Sequence, residues 1–281
     1  MQIFTLPLEF GLLIIGLALF AEYIDSTLGM GYGTMLTPIL MIMGFDPLQI
    51  VPAILLSELV SGLLAGFLHH KAGNVDFSVN NSDHDINQEK KKKTGLIDHF
   101  RHNMSRDLKV VVVIAVFSVL GTVASVFLAV NLPSIVLKTY IGILVFLIGI
   151  VVLVTLKMNF RFSWKKIVSL SMIASFNKGM SGGGYGPVVT GGQLLSGVKD
   201  KSAIGITSLA EGFTCIVGVL VYLIHPVAID WVLFPYLFIG AVISVPISVL
   251  TVKKMKTVGL RAIIGVATVV LGLFTLYKIY F

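Results

Sequence analysis

The stretch Asp25-Ser-Thr-Leu-Gly-Met-Gly-Tyr-Gly33 returns 153 residues later as Lys178-Gly-Met-Ser-Gly-Gly-Gly-Tyr-Gly186. Gly29, Gly31, Tyr32 and Gly33 fall on Gly182, Gly184, Tyr185 and Gly186 without a gap. The register extends outward: Ala21 meets Ala174, Thr37 meets Thr190, Gly44 meets Gly197, Leu56 meets Leu209 and Glu58 meets Glu211. Glycine is common in this chain, at 28 residues, so matched glycines alone would say little. The Glu pair says more, because the whole chain holds only 14 Asp and Glu.

The repeat is set in a chain of 281 residues that is 56% hydrophobic and 12% charged, with a mean hydropathy of +0.95. No water-soluble domain of this length hides so much apolar surface, so the sequence is that of an integral membrane protein. Its one cysteine, Cys215, excludes an intrachain disulfide framework, a CxxC redox pair and a cysteine zinc site. The first apolar stretch carries Glu9, lacks a basic leading region and shows no small-residue cleavage signature, and it reads as a retained segment.

Ten apolar runs follow one another, at 8–28, 34–44, 48–70, 108–130, 134–156, 166–180, 187–197, 202–224, 228–252 and 257–280. The second and seventh fall well short of the ~20 residues that a crossing takes, and each follows a glycine cluster, so both are expected to be half-helices. Polar residues 71–107, with Asn80 to Asp85 and the block Glu89 to Lys93, cannot support a core and are expected to form a mobile loop. Lys and Arg number seven in 71–107, four in 157–166, two in 198–201 and four in 253–261, which accounts for most of the 21 in the chain. The positive-inside rule puts these four loops in the cytoplasm and the turns at Asp46 and Asp230 outside. The net charge of +7 is thereby explained by topology, without nucleic acid. Both termini are then expected outside. Runs one and two form a hairpin tipped by Gly29 to Gly33, and runs six and seven one tipped by Gly182 to Gly186. Each half holds one hairpin and three crossings. Three being odd, the second repeat (157–281) is expected to be inverted relative to the first (1–156), which is the architecture of secondary transporters.

Backbone that leaves helical geometry at membrane depth must find partners in protein or in a watery cavity, so two such tips point to a shared polar pocket. Half-helices beginning after Gly33 and Gly186 would aim N–H groups and positive dipole ends at it, which suits an anion, and Pro187 at a first helical position loses no hydrogen bond. The alternative is that the glycines only let helices pack closely. The candidate substrate-binding residues are Gly29, Gly31, Tyr32, Gly33, Thr34, Lys178, Ser181, Gly182, Gly184, Tyr185, Gly186 and Gln193. Ser26, Thr27, Thr37, Asn177 and Thr190 are further neutral donors. Ionisable residues at membrane depth are costly and face the interior; they are Glu22, Asp25, Glu58, Lys178 and Glu211. Lys178 either attracts the anion or pairs with Asp25, its counterpart in the repeat. Asp25, Glu58 and Glu211 are candidate proton carriers, with helix-to-helix hydrogen bonding as the alternative for the two Glu. His69 and His70 are expected at the inner interface, Lys90 to Lys93 in solvent, and Trp164, Trp231 and Tyr280 as interface anchors.

Gly29-Met-Gly-Tyr-Gly33, Thr37-Pro-Ile-Leu40 and Gly73-Asn-Val-Asp-Phe77 in the first half, with Ser181-Gly-Gly-Gly-Tyr-Gly186 and Gly205-Ile-Thr-Ser-Leu209 in the second, resemble the sulfite exporter TauE/SafE family of membrane permeases. The resemblance implies transport of sulfur-containing anions, such as sulfite and sulfonates, across the cytoplasmic membrane. The expected partners are therefore a small anion, protons as coupling ion, the bilayer and a second copy in a homodimer, with no cofactor and no metal. Two rivals stand beside this reading. A channel would need four parallel carbonyl loops where this chain has two, and the alternative of a cation-coupled carrier for another solute stays open. An intramembrane enzyme finds no HExxH or GxSxG motif here.

Overall fold

A computed structural model describes residues 6–79, 104–155, 163–224, 230–254 and 258–281. These form ten helices: α1 (Leu8–Leu28), α2 (Tyr32–Ile42), α3 (Pro47–Lys71), α4 (Arg106–Asn131), α5 (Ser134–Thr155), α6 (Trp164–Ser181), α7 (Tyr185–Leu195), α8 (Asp200–Ile224), α9 (Phe234–Lys254) and α10 (Val258–Tyr280). Among the described residues the only other pairing is an isolated antiparallel bridge between Val79 and Met104. Residues Asn80 to Asp85 and Glu89 to Lys93 of the expected polar loop lie outside the described residues, as do Lys157, Arg161 and Lys256.

Helices α3, α4, α5, α8 and α9 are each long and apolar enough to cross a membrane. Their outward faces explain the composition. Val112, Val116, Leu120 and Phe127 on α4, Ile143, Leu147 and Val154 on α5, and Ile243, Ile247 and Leu250 on α9 are all exposed, at spacings of three, four or seven that line one side of a helix. So broad an apolar surface would be a liability in water and fits the hydrocarbon of a bilayer. The protein is a multi-pass membrane protein.

Local chemistry sets the element ends. Asp46 precedes α3, whose first residue is Pro47, and the Gln49 side chain accepts from the Asp46 N–H at 3.0 Å. Ser105 caps α4 by accepting from the Leu108 N–H at 3.2 Å. Helices α1 and α6 stop at Gly29 (φ 66°) and Gly182 (φ 70°), a left-handed conformation that glycine adopts without the Cβ clash. Their N–H groups close the last turns onto Asp25 O (2.6 Å) and Lys178 O (2.8 Å).

The chief packings are α1 with α9, α6 with α4, α3 with α8, α5 with α10, α3 with α9 and α8 with α4. Exchanging α1–α5 for α6–α10 returns this scheme to itself. Two of the apolar cores also correspond at the 153-residue offset: Ile14, Ala21, Tyr32, Leu36 and Ala53 lie in one, and Ile167, Ala174, Tyr185, Val189 and Ile206 in the other.

Candidate functional site: a lysine between two glutamates beside crossing glycine tips

The short helices start earlier than the glycine spacing suggested. Tyr32 and Tyr185 are their first residues, and Gly31 and Gly184 precede them. Pro187 is therefore third in α7, not first; it stays within the first turn, where an N–H has no partner inside the helix. The two tyrosines are wholly buried. Tyr32 Oη donates to Leu237 O at 3.2 Å and lies 2.9 Å from Ser57 Oγ, while Tyr185 Oη lies 3.1 Å from Thr214 Oγ1.

The tips cross in contact. A Cβ on Gly183 would stand 2.6 Å from both Gly33 C and Thr34 N, one on Gly186 would stand 2.8 Å from Met30 Cα, and one on Gly33 would overlap the carbonyl of Gly182. Close backbone approach is thus a duty of these glycines, as the packing alternative required. Hydroxyls tie each tip to the other. Thr37 Oγ1 donates to Ser181 O at 2.8 Å, its counterpart Thr190 Oγ1 to Gly29 O at 2.7 Å, and the Gly184 N–H is taken by Thr34 Oγ1 at 2.9 Å. Ser181 Oγ holds its own tip, accepting from the Gly183 N–H at 3.1 Å. The Gly183 and Gly184 amides, just ahead of α7, are thus satisfied by Ser181 and Thr34 in this conformation.

One turn before the Gly182 tip, Lys178 is buried to 0% exposure. Its ammonium binds Glu58 Oε2 and, at 2.7 Å, Glu211 Oε1. The ion pair is thus made to the matched glutamates and not to Asp25. Asp25 is nevertheless a neighbour, since one carboxylate oxygen from each of Asp25, Glu58 and Glu211 falls within 4.8 Å of the others. The glutamates reach the lysine because α3 and α8 meet at Gly62 and Gly212, where a Cβ on Gly62 would lie 3.1 Å from Gly212 N. Glu22 sits a turn before Asp25 and accepts from Ser26 Oγ at 2.6 Å and Ser61 Oγ at 3.2 Å. Four buried carboxyls therefore accompany one ammonium, and Glu58 Oε1 has no hydrogen-bond partner. Such an excess is costly in a dry interior unless protons or cations offset it.

Gln193 belongs to a separate polar group. Its Nε2 donates to Thr207 Oγ1 at 2.9 Å, and Thr190 Oγ1 lies 2.8 Å from the same hydroxyl. Asn177 accepts from Tyr140 Oη at 2.8 Å on the other flank of α6. Ser57, Ser61, Thr207 and Thr214 escaped the sequence reading. The offset could have exposed two of them, because Ser61 and Thr214 stand three residues beyond Glu58 and Glu211 in both halves. His69, expected near the inner interface, is enclosed by protein. It is wholly buried, its Nε2 donates to Ser26 O at 3.0 Å, and its Nδ1 accepts from Asn74 Nδ2 at 3.0 Å, which pins the Gly73 to Phe77 turn to α1. Trp164, Trp231 and Tyr280 are exposed.

A multi-pass helical bundle with interrupted helices whose tips meet beside buried charges is the framework of a membrane transporter. The chain belongs to the sulfite exporter TauE/SafE family, whose model matches residues 14–79 and 92–275. It is 26% identical over 262 residues to a protein of Bacillus subtilis (strain 168) described as probable membrane transporter protein YtnM, covering 89% of this chain and 77% of that one. No solved structure matches the chain.

Proposed function

We propose that this membrane transporter is a secondary carrier that moves a small anion, a sulfur oxyanion or organosulfonate of the sulfite kind, across the cell membrane, with protons as the coupling ion. The observation that carries the reading is the buried Lys178 ammonium held by Glu58 and Glu211. A buried cation is a strong anion receptor only while no carboxylate occupies it. Proton and anion then become partners. A proton on Glu58 or Glu211 weakens the hold on Lys178, the freed ammonium takes the anion, and loss of the proton expels it. Thr34, Ser181 and the tip amides supply neutral hydrogen bonds once the tips separate. Asp25 is the neighbouring carboxyl that passes the proton on.

Alternating access follows from two inverted repeats, 1–156 and 157–281, each rocking its glycine-tipped hairpin against the other. The self-exchanging packing scheme and the matched cores support that symmetry. Both termini lie outside. A second reading, a carrier coupled to a metal cation, draws on the carboxylate oxygens of Asp25, Glu58 and Glu211 within 4.8 Å of one another; against it, Lys178 already contacts two of the three residues. Uptake of radiolabelled sulfite into proteoliposomes tests the proposal. An inward proton gradient should accelerate it and an uncoupler abolish that acceleration, whereas acceleration by a sodium gradient alone would favour the second reading.

A further inference from the structure

We propose that the anion leaves the tips toward one face of the protein along a polar file made by Thr190, Gln193, Ser196 and Thr207, which opens into the cleft at Lys199 and Lys201. This deepens the anion-carrier reading and rests on it. Thr190, Gln193 and Ser196 stand three residues apart along α7 and its C-cap, all buried. Thr190 touches the first tip at Gly29 O, Thr207 bridges Thr190 to Gln193, and the file ends at Ser196, three residues before Lys199. Gln193 Oε1 and Ser196 Oγ are buried without a hydrogen-bond partner. Two such orphaned polar atoms in succession imply a visiting polar species, water or solute, since a permanently dry site would leave their desolvation uncompensated. Three residues on in the chain, Lys199 and Lys201 line a cleft of about 610 Å³ together with Asp76, Asp107 and Asp200.

The matching path in the first half does not exist. At the 153-residue offset, Thr190 has a polar counterpart in Thr37, but Gln193, Ser196 and Thr207 fall on Leu40, Met43 and Ile54. The file is thus a property of one face. Its hydroxyls and amide hydrogen-bond an oxyanion without the charge that would trap it.

Cys215 is the sole native cysteine and is buried, so a Cys215→Ser background permits the test. Single cysteines at Gln193, Ser196, Leu40 and Met43 are exposed to the membrane-impermeant anionic thiol reagent 2-sulfonatoethyl methanethiosulfonate from each face of sealed vesicles. The expected result is modification of Gln193→Cys and Ser196→Cys at least tenfold faster than of Leu40→Cys and Met43→Cys, and only from the face that bears Lys199. Equal rates at all four positions, or faster reaction at Leu40→Cys and Met43→Cys, would overturn the proposal. Sulfite uptake by the Cys215→Ser background, with no cysteine introduced, separates the two readings. Uptake with uniform labelling would defeat the file alone, and the predicted labelling without uptake of any sulfur oxyanion would defeat the substrate assignment alone.

Discussion

Lys178 shows how much a single buried charge constrains its surroundings. Removing one member of a buried ion pair strands the rest at a cost of about 3 to 5 kcal/mol, so Lys178→Ala should lower the melting temperature markedly as well as abolish transport. Replacing Glu58 and Glu211 with Gln in the same protein removes the stranded carboxylates. The triple variant should therefore recover most of the lost melting temperature while staying inactive, and thermal unfolding in detergent checks this. Failure of the triple variant to recover would mean that Lys178 supports the fold through packing alone. With Lys178 intact, Glu58→Gln and Glu211→Gln should each flatten the pH dependence of transport, and together remove it. Persistent pH dependence in the double variant, read from initial uptake rates, would exclude both as proton carriers. The sequence made the members of this cluster legible because so few acids lie in apolar runs, and the offset matched Glu58 with Glu211. It did not yield the pairing. Asp25 and Lys178 are equivalent in the repeat, yet equivalence fixes position on each helix and not which rotamers meet across a helix interface.

At the level of elements, the glycine tips distinguish conformational need from contact. Gly33 and Gly186 have no positive φ, yet a Cβ on either would strike backbone of the opposite tip, which cannot yield as a side chain would. Gly33→Ala and Gly186→Ala should each cost more than about 2 kcal/mol. Gly16 in α1 faces open space within 4 Å, so Gly16→Ala should gain about 0.5 to 1 kcal/mol from helix propensity. A comparison of melting temperatures checks the opposite signs. The start of α3 offers a smaller effect. The Lys138 ammonium, 2.8 Å from Asp46, and next the Ser134 hydroxyl hold the Asp46 carboxyl below the usual carboxylate range. A depressed pKa contributes stability above the unfolded-state value and loses it as pH falls through the folded one. Asp46→Asn should therefore cost at most ~1 kcal/mol near neutrality, since the pair is well exposed, and nothing once the wild-type carboxyl is protonated. Helix ends were legible to within two residues because hydropathy and turn chemistry are local, except at α9, which starts at Phe234 where the apolar run opens at 228. The starts of α2 and α7 lie two residues ahead of the expected ones, since a tyrosine reads equally well as loop or as first turn until its ring is seen filling a core.

Among the described residues the molecule shows two sets of five helices whose packing partners exchange. The exchange of packing partners has a sequence correlate in the 153-residue offset, which matches Glu58 with Glu211 but sets Asp25 against Lys178. His69 shows where legibility ended. Basic residues at a helix end suggest an interface, and only the tertiary course of α1 and the Gly73 to Phe77 turn reveals that its ring is enclosed. Orientation carries its own prediction: if 157–166 and 198–201 are cytoplasmic and the termini external, an epitope tag at either terminus should be accessible on intact cells, and a tag detected only after permeabilisation would reverse the topology. The measurement that bears most directly on the central claim is initial sulfite uptake into proteoliposomes under an imposed proton gradient, wild type beside the Glu58→Gln, Glu211→Gln double variant. The account predicts gradient-driven accumulation in the wild type and slow, gradient-independent flux in the variant. Equal gradient-driven accumulation in both would contradict it, and so would a wild type that moves cations but no sulfur oxyanion.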